Sequence, residues 1–249
     1  MSAARSEKPR KSGITVAIDD GLSLYELEGA LAVSGPYIDV LMLDCGWPLQ
    51  PDEIVKKKAQ LCRKRGITVA SDGLPLERSF LKGEVADFMD RVRDLGLTGM
   101  EVSNSAARMT GDEERTLLTT AKEYFDVVFV EVGKKDPGED HRFLMDERIR
   151  SMEESLSMGA FKVIVEGGDG MSVGPFDDEG RIRESFVERI VERIDPDKIV
   201  WEAPLFAQQV WMVKRFGPNV NLGRIEIRDV IRLEALRRGL SSETLRESI

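Results

Sequence analysis

With 249 residues, a net charge of −9 and 41% hydrophobic residues, the chain can bury a substantial core and is too apolar to stay disordered. Its acidic balance argues against a nucleic-acid partner, which calls for a basic face. No apolar run approaches the roughly 20 residues that span a bilayer, and the N-terminus lacks a signal-peptide apolar region, so no membrane contact and a cytoplasmic location are expected.

Short runs rich in Val, Ile and Leu alternate with long amphipathic stretches along the whole chain. Residues 1–12, with Arg5, Lys8, Arg10 and Lys11 and almost nothing apolar, are expected as a flexible, solvated N-terminal extension, leaving 13–249 as one folded unit. The first run, Ile14–Ile18, ends on Asp19 and Asp20. Ser23 and Glu26 have capping-box spacing ahead of a helix over Leu24–Val33. Tyr37–Leu43 ends on Asp44, and Pro51 suits the first turn of a helix over Glu53–Arg65. Ile67–Ala70 leads to Asp72 and a helix near Glu84–Leu95. Gly99–Val102 carries Glu101 and precedes a helix over Asp112–Phe125. Val127–Val130 ends on Glu131, Phe161–Val165 on Glu166 and Lys198–Trp201 on Glu202. Their helices are expected over Asp146–Met158, Glu184–Ile194 and Phe206–Phe216. An eighth run, Asn219–Leu222, precedes Ile227–Arg238. Eight such repeats in about 250 residues predict an α/β fold, a single (β/α)8 TIM barrel, whose strand ends converge on one mouth.

The acids behind the strands are the main chemical signal. Acids there also cap helices, where the macrodipole favours them. As a set, Glu131, Glu166 and Glu202 end strands 5, 6 and 7 and have the oxygen ligands for a hard cation such as Mg2+. Their repulsion calls for a cation or a lysine. Lys134 and Lys135, directly after strand 5, can neutralise them, bind an anion or transfer a proton. Arg224, with the amides of Gly223–Ile225, stands where barrels bind phosphate; the alternative is a surface pair with Glu226 or Asp229. Arg108 is a second basic candidate. The glycine-rich stretch Gly167–Phe176 reads as a lid or as plain turns, and no nucleotide-binding loop is present, so neither ATP nor NAD is expected. Cys45 and Cys62 fit no metal spacing, and the lone His141 sits in a charged loop, leaving proton transfer to Lys, Asp or Glu. Phe206, Trp211 and Phe216, if exposed, mark a homo-oligomer interface.

Several motifs carry a family resemblance. Glu131-Val-Gly-Lys-Lys135, Trp201-Glu-Ala-Pro204, Gln208-Gln209, Asn219-Val-Asn-Leu-Gly223 and Leu233-Glu-Ala-Leu-Arg-Arg-Gly-Leu240, with Tyr37-Ile38-Asp39 and Gly46-Trp47, run through a chain that resembles phosphosulfolactate synthase from about Ile14 to Thr244. The resemblance implies a barrel enzyme that adds sulfite to phosphoenolpyruvate with Mg2+, a lyase-type step on the route to coenzyme M or sulfolactate. It implies catalytic roles for Lys134, Lys135 and Glu131 and metal ligation by Glu131, Glu166 and Glu202. Arg224, Gly223, Asn221, Glu101 and Ser103 are then expected to contact a small anionic metabolite.

Departures from the family pattern cluster after the strands. Its Asp-Lys-Gly turn becomes Asp19-Asp20-Gly21, a strand-2 lysine becomes Met42, and its Gly-Gly-Thr-Leu-Phe-Glu reads Asp72-Gly-Leu-Pro-Leu-Glu77. Ser-Asp-Gly-Ser becomes Ser103-Asn104-Ser105-Ala106, and Arg-Glu-Ser-Gly becomes Gly167-Gly168-Asp169-Gly170. These changes remove basic groups where three anions would gather. They support a second expectation, a barrel that has left this reaction for a less anionic substrate or for a non-catalytic, stress-related role like that of plant heat-stress relatives.

Overall fold

Eight parallel strands close into a barrel in chain order. The computed structural model describes residues 5–246. The strands are β1 Thr15–Asp19, β2 Val40–Leu43, β3 Thr68–Ser71, β4 Gly99–Val102, β5 Val127–Val132, β6 Lys162–Val165, β7 Ile199–Glu202 and β8 Leu222–Glu226. The helices are α1 Leu24–Ser34, α2 Asp52–Arg63, α3 Gly73–Lys82, α4 Val85–Asp94, α5 Gly111–Tyr124, α6 Pro137–Asp140, α7 Met145–Ser157, α8 Glu184–Val191, α9 Phe206–Phe216 and α10 Val230–Arg237. Among the described residues no helix is long and apolar enough to cross a membrane.

Alternation along the strands builds two cores. Val16, Val40, Met42, Ala70, Phe129, Ile164 and Val200 form a small cluster inside the barrel. Their neighbours, among them Ala17, Leu41, Val69, Met100, Val128, Val163 and Trp201, belong to the larger core under the helices. Because side chains in a strand alternate with period two, the residue two beyond each interior position also faces the axis. Phe206, Trp211 and Phe216 are half-buried against the outer core, not exposed.

Four features differ from the sequence expectation. α3 had no predicted counterpart: Gly73-Leu74-Pro75 reads as a turn, yet the Asp72 side chain accepts from the Leu74 amide at 2.8 Å and starts a helix there. Gly83 ends it at φ +71 before α4 begins. The predicted helix over Glu84–Leu95 therefore covers only the second half of this connection.

The eighth strand lies downstream of its predicted place. Asn219 and Asn221 precede it, with Asn221 buried at the N-terminal floor of the barrel. Its side chain accepts from Ile14 N at 3.0 Å and donates to Ile199 O at 2.8 Å. Tyr37, expected in strand 2, is instead part of a 3-10 turn spanning Gly35–Tyr37.

The described part of the N-terminal extension is anchored beneath the barrel. The Arg5 side chain is 2% exposed and pairs with Asp39 and Glu234, while also donating to Gly13 O and Thr15 Oγ1. Arg10 bonds Asp39 at 2.9 Å, Ser6 N donates to Asn219, and Lys162, at the start of β6, reaches Lys11 O at 2.8 Å. A buried guanidinium must be paired, and the floor supplies the carboxylates. Residues 1–4 lie outside the described residues.

Candidate active site

Parity decides which strand-end acids meet. Counting two residues on from Met42, Ala70, Phe129, Ile164 and Val200 reaches Asp44, Asp72, Glu131, Glu166 and Glu202, and Glu101 holds the matching place on β4. Asp19 has the opposite parity. It points between helices and forms a fully buried pair with Lys58 of α2 at 2.7 Å, while its other oxygen accepts from Gly21 and Leu22 amides. Asp19 is therefore a packing and turn residue and does not line the mouth.

Glu131, Glu166 and Glu202 are all buried, and a carboxylate oxygen from each lies within 4.8 Å of the others. Lys135 projects into the group, 2.6 Å from Glu166 and 3.4 Å from Glu131. Burial opposes charge on every member, so the cluster splits its protons. Lys135, with hydrogen bonds from its ammonium and from Glu131, outweighs burial and holds the Glu166 carboxyl down to about 2. Burial and the Glu166 charge push Glu131 well above the carboxylate range, and the same causes push Glu202 up to about 8. Glu101, whose oxygen accepts from Gly73 N at 3.1 Å, is raised by burial and by Asp72. One ionised and several neutral carboxyls around one ammonium is the arrangement that like charges in a dry site require.

Arg224 reaches the mouth through a β-bulge. Thr15 pairs with Leu222 but Ala17 pairs with Ile225, so Gly223 and Arg224 together oppose the single interior residue Val16. The extra residue turns Arg224 inward at φ +54, a backbone region costly for a side chain with a Cβ. Its guanidinium lies 3.3 Å from Asp169 of the glycine-rich loop and, despite burial, is held charged by Glu202, Glu166 and Asp44. Gly223 sits beside Glu202, and a Cβ there would meet Val200 at 3.0 Å.

Of these groups Lys135, Asp169 and Arg224 line a cavity of about 420 Å³, together with Asp44, Cys45, Asp72, Gly168 and Met171. Its basic lining residues are Lys135 and Arg224. Glu131 Oε1 is a buried oxygen without a hydrogen-bond partner, the condition a divalent cation relieves. The donor set, three carboxylates and no sulfur or imidazole, suits a hard ion.

The family model for (2R)-phospho-3-sulfolactate synthase (ComA) matches residues 3–243. The chain belongs to the phosphosulfolactate synthase family. It is 34% identical to the phosphosulfolactate synthase of Methanothermobacter thermautotrophicus, over 98% of this chain and 96% of that one. It is 26% identical to Protein HEAT-STRESS-ASSOCIATED 32 of Arabidopsis thaliana, over 94% and 88% of the two chains. In fold it is similar to orotidine 5'-phosphate decarboxylase from Pyrococcus horikoshii, with a TM-score of 0.57 at 14% identity, covering 90% of this chain and 99% of that one.

Within this phosphosulfolactate synthase family barrel, the two adjacent lysines part company. Lys135 faces the carboxylates, whereas Lys134 turns outward between α5 and α7, its ammonium on Asn104 O and 5.9 Å above the Phe143 ring. Lys134 thus lies outside the mouth and is corrected from its catalytic placement. Ser103 is also withdrawn, because its hydroxyl bonds Glu77 of α3. Asn221, at the floor, is at the far end from any substrate in the mouth. Arg108 is exposed and pairs with Glu139. His141 is exposed at the end of α6.

Two buried acids that sequence reasoning passed over organise the loops. Asp140 accepts from Lys134 N, Arg148 and Gly174 N, joining the loop after β5 to the glycine-rich loop after β6. Glu77 is the second. Nothing local marks Asp140, but Glu77 stood inside a family motif and was a findable signal.

Proposed function

We propose that the protein catalyses the Mg2+-dependent addition of sulfite to phosphoenolpyruvate, giving phosphosulfolactate. The observation that carries this reading is Lys135 set between Glu131 and Glu166, with Arg224 bulged inward across the same cavity. The sulfite sulfur forms a bond to the terminal CH2 carbon of the enol phosphate, the double-bond electrons shift toward the carbon bearing phosphate and carboxylate, and that carbon takes a proton. We assign delivery of that proton to Lys135, which lines the cavity. Arg224 and the neighbouring backbone bind the phosphate or the carboxylate by charge-assisted hydrogen bonds. Glu131, Glu166 and Glu202 would hold the cation, which supplies charge stabilisation to the substrate carboxylate as electron density builds there. A small anionic metabolite is the partner, and the cytoplasm is the compartment.

A second reading has its own observation: acids outnumber bases along the cavity, and Met42 faces the barrel interior where the family carries a lysine. It assigns the barrel a less anionic substrate or a non-catalytic role. Mass spectrometry of purified protein incubated with phosphoenolpyruvate, sulfite and Mg2+ separates the two. Phosphosulfolactate formed by the natural chain and lost in Lys135→Ala supports the synthase. No product from a folded protein overturns it in favour of the second reading.

A further inference from the structure

The Glu77 carboxylate is held by backbone amides. It lies one helical turn into α3 and is 2% exposed, and among the described residues no basic side chain pairs with it. Its charge is met instead by the loop after β4. Oε1 accepts from the Ser103 hydroxyl and from the Ser105 amide and hydroxyl, both at 2.8 Å. Oε2 accepts from Ala106 N at 2.9 Å and Ala107 N at 2.6 Å. Three consecutive backbone amides and two hydroxyls around one anion form a nest. Burial opposes this charge, yet the hydrogen bonds hold the carboxyl below its usual range. The close approach depends on Gly73, because a Cβ there would collide with Ser103 Oγ.

The gripped loop faces the lysines. Its Ser105 carbonyl accepts from Lys135 N at 3.3 Å and its Asn104 carbonyl from the Lys134 ammonium. On the other side Asp140 takes Lys134 N at 3.1 Å. The backbone that carries Lys135 is therefore held at two points. One of them hangs on loop 103–107, whose shape is set by a side chain from a helix that does not touch the substrate cavity at that residue.

We propose that Glu77 is a positioning residue: by fixing loop 103–107 it sets the Ser105 carbonyl, and through it the backbone from which Lys135 reaches Glu131 and Glu166. This rests on the synthase reading only for its kinetic consequence; the mechanical link stands on the geometry. Glu77→Gln keeps the volume and removes the charge that three amides and two hydroxyls address, and one of its two oxygens becomes a donor facing donors.

Hydrogen exchange read by mass spectrometry on the full chain, together with steady-state kinetics, tests this. In Glu77→Gln the amides of 105–107 and of Lys135 are expected to exchange at least about tenfold faster than in the natural protein, with the amides of the barrel floor unchanged. Turnover is expected to fall by about tenfold to a hundredfold while KM for phosphoenolpyruvate stays within about threefold, since misplacement of an acid acts on the chemical step. Ser105→Ala, which deletes one of the donors and leaves the carboxylate, gives a smaller change in the same direction and carries both readouts if Glu77→Gln does not fold. Unchanged exchange at Lys135, or accelerated exchange with turnover intact, overturns the proposal. If the natural protein makes no phosphosulfolactate, that failure belongs to the synthase reading, and exchange at Lys135 alone then decides for or against the link.

Discussion

Replacing Lys135 by methionine keeps the length of the side chain and removes the ammonium that faces Glu131 and Glu166. In the intact protein Glu166 titrates near 2 instead of its usual 4.5. At about 1.4 kcal/mol per pKa unit, that depression is worth about 3 kcal/mol of folding stability. A depressed carboxyl stabilises the fold fully above its usual pKa, and the benefit drains away as pH falls from about 4.5 to about 2. Lys135→Met should therefore lose about 3 kcal/mol at pH 7.5, a buried carboxylate having lost its partner, and the gap to the natural protein should narrow below pH 4. Urea denaturation of both proteins between pH 7.5 and pH 3 measures it. Equal stability at pH 7.5, or a gap that does not depend on pH, would refute the idea that this ammonium is what keeps Glu166 ionised.

Other expectations follow from neighbouring groups. With Glu202 pushed up to about 8 and Glu131 also raised, Mg2+ binding at pH 7 should expel about one proton or more per ion, and affinity should climb as pH approaches 8; calorimetry in two buffers of different ionisation heat counts the protons, and a count of zero contradicts the assigned ligands. Arg224→Gly relieves the left-handed backbone, so stability should hold or rise by about 1 kcal/mol, while KM for phosphoenolpyruvate rises about tenfold or more; an unchanged KM removes Arg224 from the anion site. Arg5→Ala removes the guanidinium that Asp39 and Glu234 share at the floor, leaving Asp39 to Arg10 and Glu234 to Arg238, and should cost about 2 kcal/mol, lowering the melting temperature by roughly 6 °C without altering product formation at the mouth. A melting temperature equal to that of the natural protein would mean the anchor carries no weight.

Strands and acids were readable because hydrophobic runs and their punctuation are local. The placement of side chains was readable only where parity was unbroken: Glu101, Glu131, Glu166 and Glu202 share one face by simple counting. Lys134 and Lys135 are adjacent in the turn after β5, and their side chains go to opposite sides, so a motif that names both cannot rank them. Asn221 was misplaced because β8 begins at Leu222, later than the apolar pattern of Asn219–Leu222 suggested. α3 was missed because Pro75 reads as a breaker, though proline is tolerated in a first helical turn. The anchored floor was hidden because Arg5 finds Glu234, 229 residues away, a partner that no local window contains.

The bulge at Gly223–Arg224 gives this barrel an uncommon evolutionary lever. Where a side chain goes in a strand is settled by arithmetic: deleting Gly223 would restore an unbroken register with β1 and leave Arg224 alone opposite Val16, whereas deleting Arg224 would restore the same register with a glycine in that place. A single codon deletion could thus strip a cation from the cavity while every other residue kept its identity. An alignment that slides a gap by one position at this strand end would misassign which residue faces the ligand.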